Sequence, residues 1–153
     1  MKTNITTMTT PNSRVLRMAH LIYATRQQNL DEALAYDPRL EWRNSLKRAW
    51  AVHRFKELLK TGVFMFYYTK LDTTIREAIG TLKMDYIPEE QRPKGISNRH
   101  NIVKYIAYYD LRKHEWRSFD INQVHLTCIY QCHMDWTPDS LLEFNLSDRR
   151  KSK

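Results

Sequence analysis

Glycine is scarce: the 153 residues hold only Gly62, Gly80 and Gly95. Phosphate-cradling loops draw several glycines into one short stretch, so a P-loop or a dinucleotide fingerprint is excluded. Cysteine is nearly as rare. Cys128 and Cys132 are the two present, too few for a disulfide framework, and the expected setting is reducing and cytoplasmic. No apolar run approaches the roughly 20 residues that span a bilayer, so no membrane partner is expected. The polar stretch Met1 to Thr10 has no hydrophobic centre and does not read as a signal peptide. Gly-x-Ser-x-Gly and His-Glu-x-x-His are also missing. With no nucleophile, base and stabiliser assembled in any recognisable pattern, no catalytic residues, enzymatic activity or cofactor are expected.

One cluster holds metal-ligand residue types: His125, Cys128, Cys132 and His133. Its spacings match no zinc-finger pattern, and strand alternation sends His125 and Cys128 to opposite faces, so the expectation is two free thiols and no metal site.

Positive charge is plentiful, with 25 Lys and Arg against 17 Asp and Glu, a net charge of +8. It is unevenly spread. Residues 1–61 carry eleven cations against five anions, residues 62–127 ten against eight, and the remainder balances at four each. A basic N-terminal part suits a polyanionic partner, DNA or RNA, although a solvated helix face accounts for the same charge.

After a lead of residues 1–12, Val15, Met18, Ala19, Ile22 and Tyr23 recur at the spacing of one helical face, with Ser13 as N-cap and an end near Gln28. Pro38 is expected to interrupt a further turn in residues 29–37. A second helix is expected from about Glu41 to Lys60, with Gly62 as its stop. It carries two apolar arcs, Trp42, Leu46, Ala49, Trp50 and His53 on one and Val52, Phe55 and Leu59 on the other, so two partners should cover it. His53 reads as a packed residue. Arg43, Lys47 and Arg54 share a remaining stripe, the best candidate for a phosphate-facing surface.

From residue 62 the period changes. Gly62 to Tyr68, Thr74 to Leu82, Ile102 to Tyr109, Glu115 to Phe119 and Gln123 to Cys128 are short, β-branched and aromatic, and bounded by turn residues. The expected fold is α+β: a five-stranded antiparallel SH3-like or Sm-like barrel over residues 62–127, behind a helical pair over 13–61, with an extension over 128–153. An OB-fold is the nearest competitor. The second helix should dock through Val52, Phe55 and Leu59, and only one of Trp116 and Phe119 should enter the core. The 83–101 connection is long for a compact domain and is a candidate contact for a protein partner. Arg92, Lys94 and Arg99 lie in it, while Lys104 and Arg117 lie on strands among Tyr67, Tyr68, Tyr105, Tyr108 and Tyr109. Such mixtures serve single-stranded nucleic acid, although alternation sends about half of those rings inward.

Several segments together resemble the Sm-like, SH3-barrel family related to the WYL domain, small proteins of gut anaerobes, phages and mobile elements. They are Ser45-Leu46-Lys47-Arg48-Ala49-Trp50, Gly62-Val63-Phe64-Met65-Phe66, Thr74 to Leu82, and Tyr108-Tyr109-Asp110 through Trp116-Arg117-Ser118-Phe119, spanning about residues 42–126. One departure is Thr73, where such proteins usually carry Asp-Gly, so the turn lacks the glycine that a tight primed hairpin uses. The resemblance implies a non-enzymatic nucleic-acid-binding or regulatory accessory protein in the cytoplasm of a bacterial host. The alternative is a phage virion or protein-interaction module.

Overall fold

The computed structural model describes residues 11–29, 37–94 and 103–132. Helix α1 spans Pro11–Gln28 and α2 spans Pro38–Leu59. Both open on a proline, because its fixed φ suits the first helical position and an N–H there would have no intrahelical partner. The expected cap at Ser13 is therefore corrected, and α2 begins three residues before the expected Glu41. Asp37 caps α2, its carboxylate accepting from the backbone N–H groups of Arg39 at 3.0 Å and Leu40 at 3.4 Å. The turn expected within residues 29–37 falls largely outside the described residues.

Val15, Met18, Ala19 and Ile22 are buried and join Ala49, Val52, Phe55 and Leu59 of α2 in the main core. Trp42 meets Tyr23 edge-on at 5.8 Å and the His20 ring at 4.7 Å, closing the seam between the helices.

Strands β1 (Val63–Thr69), β2 (Ile75–Thr81), β3 (Tyr105–Asp110), β4 (Glu115–Asp120) and β5 (Val124–Gln131) form one antiparallel sheet in the order β4-β3-β2-β1-β5. β5 runs three residues past its expected end at Cys128. The expected five-stranded antiparallel arrangement is present, with the sheet left open between β4 and β5 among the described residues. Its weak seam is β2–β3, where among the described residues only Gly80 faces Asp110 and Thr81 faces Tyr109.

Period-two alternation divides the aromatic residues between two covered faces. Phe66, Tyr68, Tyr108 and Phe119 turn toward α2, where Phe55 lies 5.1 Å from the Phe66 ring and 5.9 Å from that of Phe119. Val63, Ile79, Tyr109 and Leu111 turn the other way and pack with Ile87. Ile87 lies between two 3₁₀ turns, Met84–Tyr86 and Glu89–Gln91, so this half of the long connection is a lid on the sheet. The Trp116 Nε1–H donates to the Gln91 carbonyl at 2.8 Å and ties the lid down. The opposition of Trp116 and Phe119 holds: Phe119 is fully buried under α2, and Trp116 is half-buried on the other face. Full burial of such an aromatic side chain is worth about 1.5–3 kcal/mol, so Phe55 and Phe119 do much to dock α2.

Candidate nucleic-acid interface

The positions of α2 sort by angle at about 100° per residue. Val52, Phe55 and Leu59 lie on the buried side, as expected. Arg48 faces the sheet with them and is half-buried, its guanidinium donating to the carbonyls of Ile121 and Val124. Burial, and then the nearby Arg26, lower its pKa. On the opposite side Arg39, Arg43, Lys47 and Arg54 occupy an arc of about 80°, and all four are exposed. None of them makes an ion pair among the described residues. Glu57, at the C-terminal end of the same arc, is neutralised by Lys60 at 2.8 Å.

Trp50 projects within this arc. The apolar spacing puts it with Trp42 and Ala49, yet it is 42% exposed, its ring edge-on to His53 at 6.0 Å. His53 itself is half-buried, and its Nδ1 has no hydrogen-bond partner. Reading Trp50 as core and starting α2 at Glu41 conceals two members of the surface, Trp50 and Arg39. The Asp37-Pro38 pair, a cap followed by proline at the first helical position, is the signal that brings Arg39 into the helix.

The other cations of the expected set do not gather on this stripe. Arg92 belongs to the lid, where its Nε donates to the Ile87 carbonyl at 2.9 Å, and the exposed Lys94 follows it. Lys104 lies over the Tyr105 ring, 5.3 Å from its centroid, and 4.0 Å from the Asp120 carboxylate. Arg117 is half-buried and paired with Asp110 at 3.6 Å and with Glu115. Arg99 lies outside the described residues. Among the five tyrosines, Tyr68, Tyr108 and Tyr109 are core, and Tyr67 donates to Glu77, which also binds Arg112. Only Tyr105 keeps an exposed ring, at 43%.

In the His/Cys segment, His125 Nε2 lies 3.1 Å from Thr69 Oγ1, and both cysteines are half-buried free thiols. Burial pushes the Cys132 thiol above its ordinary pKa. His133 lies outside the described residues. No described helix is long and apolar enough to cross a membrane.

A comparison with protein families bears on most of the sheet. Residues 52–124 fit the model of the WYL_2 family, described as an Sm-like SH3 β-barrel fold. Over these residues the chain is similar to that family. No curated protein matches the chain, and no solved structure does. The WYL_2 match begins at Val52, within α2, and ends at Val124, the first residue of β5. Arg54 therefore lies inside the matched segment, whereas Arg39, Arg43, Lys47 and Trp50 precede it.

Proposed function

We propose that the chain is a non-enzymatic, cytoplasmic accessory protein that binds single-stranded DNA or RNA along the outer face of α2. The observation that carries this reading is an exposed tryptophan set among four exposed cations that have no ion-pair partner among the described residues, on the helix face opposite the one docked to the sheet. Cations at one-turn spacing neutralise successive phosphates and release counterions. A flat ring between them offers a base a stacking surface of any sequence, each stacked base being worth about 1–3 kcal/mol. Duplex recognition is less favoured, because a bulky ring at the centre of the stripe has no base face to meet in a closed helix.

Fluorescence anisotropy with a labelled 20-nucleotide strand, the matching RNA and the duplex, each at several salt concentrations, tests this. The single strands are expected to bind more tightly than the duplex, with affinity falling linearly on a log–log salt plot. R43E/K47E/R54E should weaken binding of all sequences and flatten that slope by nearly one for each phosphate no longer neutralised. W50A should weaken single-strand binding with little change in slope. If both variants bind like the parent, the stripe is a solvated face.

A second reading, a protein-interaction module, draws on the β1–β2 hairpin. Leu71 at its tip is 97% exposed and Ile75 beside it 63%. Absence of nucleic-acid binding in the parent, together with association of a protein that L71S/I75S abolishes and the α2 variants leave unchanged, would favour that reading.

A further inference from the structure

A second surface lies away from the α2 stripe and is independent of the reading above. The start of α1, the C-terminal end of α2, the exit from β2 and the strands β3 and β4 enclose a cavity of about 740 Å³, inside the range of roughly 300–1,000 Å³ typical of small-molecule sites. Its walls are mainly apolar, with Met18, Leu82, Val103, Ile106 and Trp116 among them. Four cations also reach it, Arg14, Lys56, Lys60 and Lys83, and among the described residues no carboxylate lines it. Lys60 is paired with Glu57 and Lys83 with Asp85 at 3.6 Å. Arg14 and Lys56 make no ion pair among the described residues.

Arg14 and Lys60 are both close enough to repel the Lys56 ammonium. Burial first, then Arg14, then Lys60 bring the Lys56 ammonium down to about 8, against a weaker opposing effect of Glu57. Like charges converging on apolar walls cost stability unless an anion joins them. The rest of the cavity has little polarity with which to solvate such an anion, so its remaining body must be apolar. We propose that this cavity binds a small organic anion whose charged group sits between Arg14 and Lys56 and whose apolar body rests against Ile106, Leu82 and Trp116.

The test uses the full chain and two dyes of nearly the same body, the sulfonate 1-anilinonaphthalene-8-sulfonate and the neutral N-phenyl-1-naphthylamine, titrated by calorimetry and fluorescence. One equivalent of the sulfonate is expected to bind, roughly tenfold or more tighter than the neutral dye, since a desolvated charge pair adds a kcal/mol or more. R14Q/K56Q should remove most of that advantage and leave the affinity for the neutral dye in place. Ala107 and Ser118 both line the cavity, are exposed and face each other across β3 and β4. A107W and, as a second obstruction, S118W should therefore weaken both dyes while leaving thermal melting nearly unchanged. Equal affinity for the two dyes, indifference to both obstructing variants, or displacement of the sulfonate by the 20-nucleotide strand would overturn the proposal. Strand binding through α2 can fail without touching any of these outcomes.

Discussion

Arg48 donates twice to the carbonyl oxygen of Ile121, from Nε at 3.1 Å and from Nη2 at 2.9 Å. The same Nη2 reaches the Val124 carbonyl at 2.9 Å. One guanidinium thus joins α2 to the β4–β5 turn, whose backbone carbonyls would otherwise lack those charged donors. R48M should cost about 1–3 kcal/mol, the range for a charged hydrogen bond or a buried acceptor left unsatisfied. R48K should recover little of it, because an ammonium cannot reproduce the planar fork. Urea denaturation of the three proteins checks this.

Gly80 pairs with both Phe64 and Asp110, and a methyl group there would run into the Tyr108 ring and press on Phe66. Tyr108 cannot yield easily, since its hydroxyl shares a buried hydrogen bond of 3.0 Å with Tyr68 and its ring packs against Phe66 and Phe119. G80A is expected to destabilise by about 2 kcal/mol or more through overpacking. A denaturation midpoint within error of the parent would contradict this account of the core.

Thr73 adopts φ 69° in the β1–β2 turn, a left-handed conformation unfavourable for a β-branched residue. Asp72 holds the turn together, its Oδ1 accepting from the Thr74 N–H at 3.0 Å and from the Thr74 hydroxyl at 2.5 Å. These bonds, aided by Lys70, bring the Asp72 carboxyl down to about 2. T73G should stabilise the protein by about 0.5–1 kcal/mol, as relief of the left-handed strain outweighs the extra freedom of glycine in the unfolded chain. Thermal and urea melts of T73G beside T73A, which keeps the strain, separate the two effects.

Lys56 makes stability depend on pH. Its folded-state pKa is lowered from 10.5 to about 8, so between those values the unfolded chain binds more protons than the folded one, and the Lys56 contribution rises with pH. Below about pH 8 the cost of burying the charge is present in full, on the order of 1–3 kcal/mol after allowance for solvent at the cavity mouth. K56M should therefore be more stable than the parent at pH 7, with the gap narrowing by pH 9.5. Comparing the pair cancels the opposing effect of the raised Cys132 thiol. A gap constant across that range would place the Lys56 ammonium in water.

Much of the architecture was legible in local pattern. The period of Val15, Met18, Ala19 and Ile22 marks a helical face, and the spacing of Val52, Phe55 and Leu59 marks the docking side of α2, because a 3.6-residue repeat needs no knowledge of the partner. The strands from Val63 to Thr69 and from Glu115 to Asp120 likewise follow from alternation and turn residues. The helix starts are readable too: Pro38 alone reads as a break, but after Asp37 it is an opening.

Other features depended on which surfaces meet, and no local pattern carries that. Tyr108 and Tyr109 are neighbours of the same type, yet each is buried on a different face, because α2 covers one side of the sheet and the 83–94 segment covers the other. Arg48 and Arg54 are the same residue type on one helix, six positions apart. Arg48 became a structural clamp because its azimuth meets the Ile121 carbonyl, while Arg54 was left in water beside Lys47. Trp50 went outward because α1 and the sheet had already occupied the two sides of α2 that bury an apolar ring. The convergence of Arg14, Lys56, Lys60 and Lys83 on one cavity is of the same kind. These cations lie on α1, at the C-terminal end of α2 and just past β2, so composition and spacing determined those helices and that strand, and only their packing decided that the cations share a space.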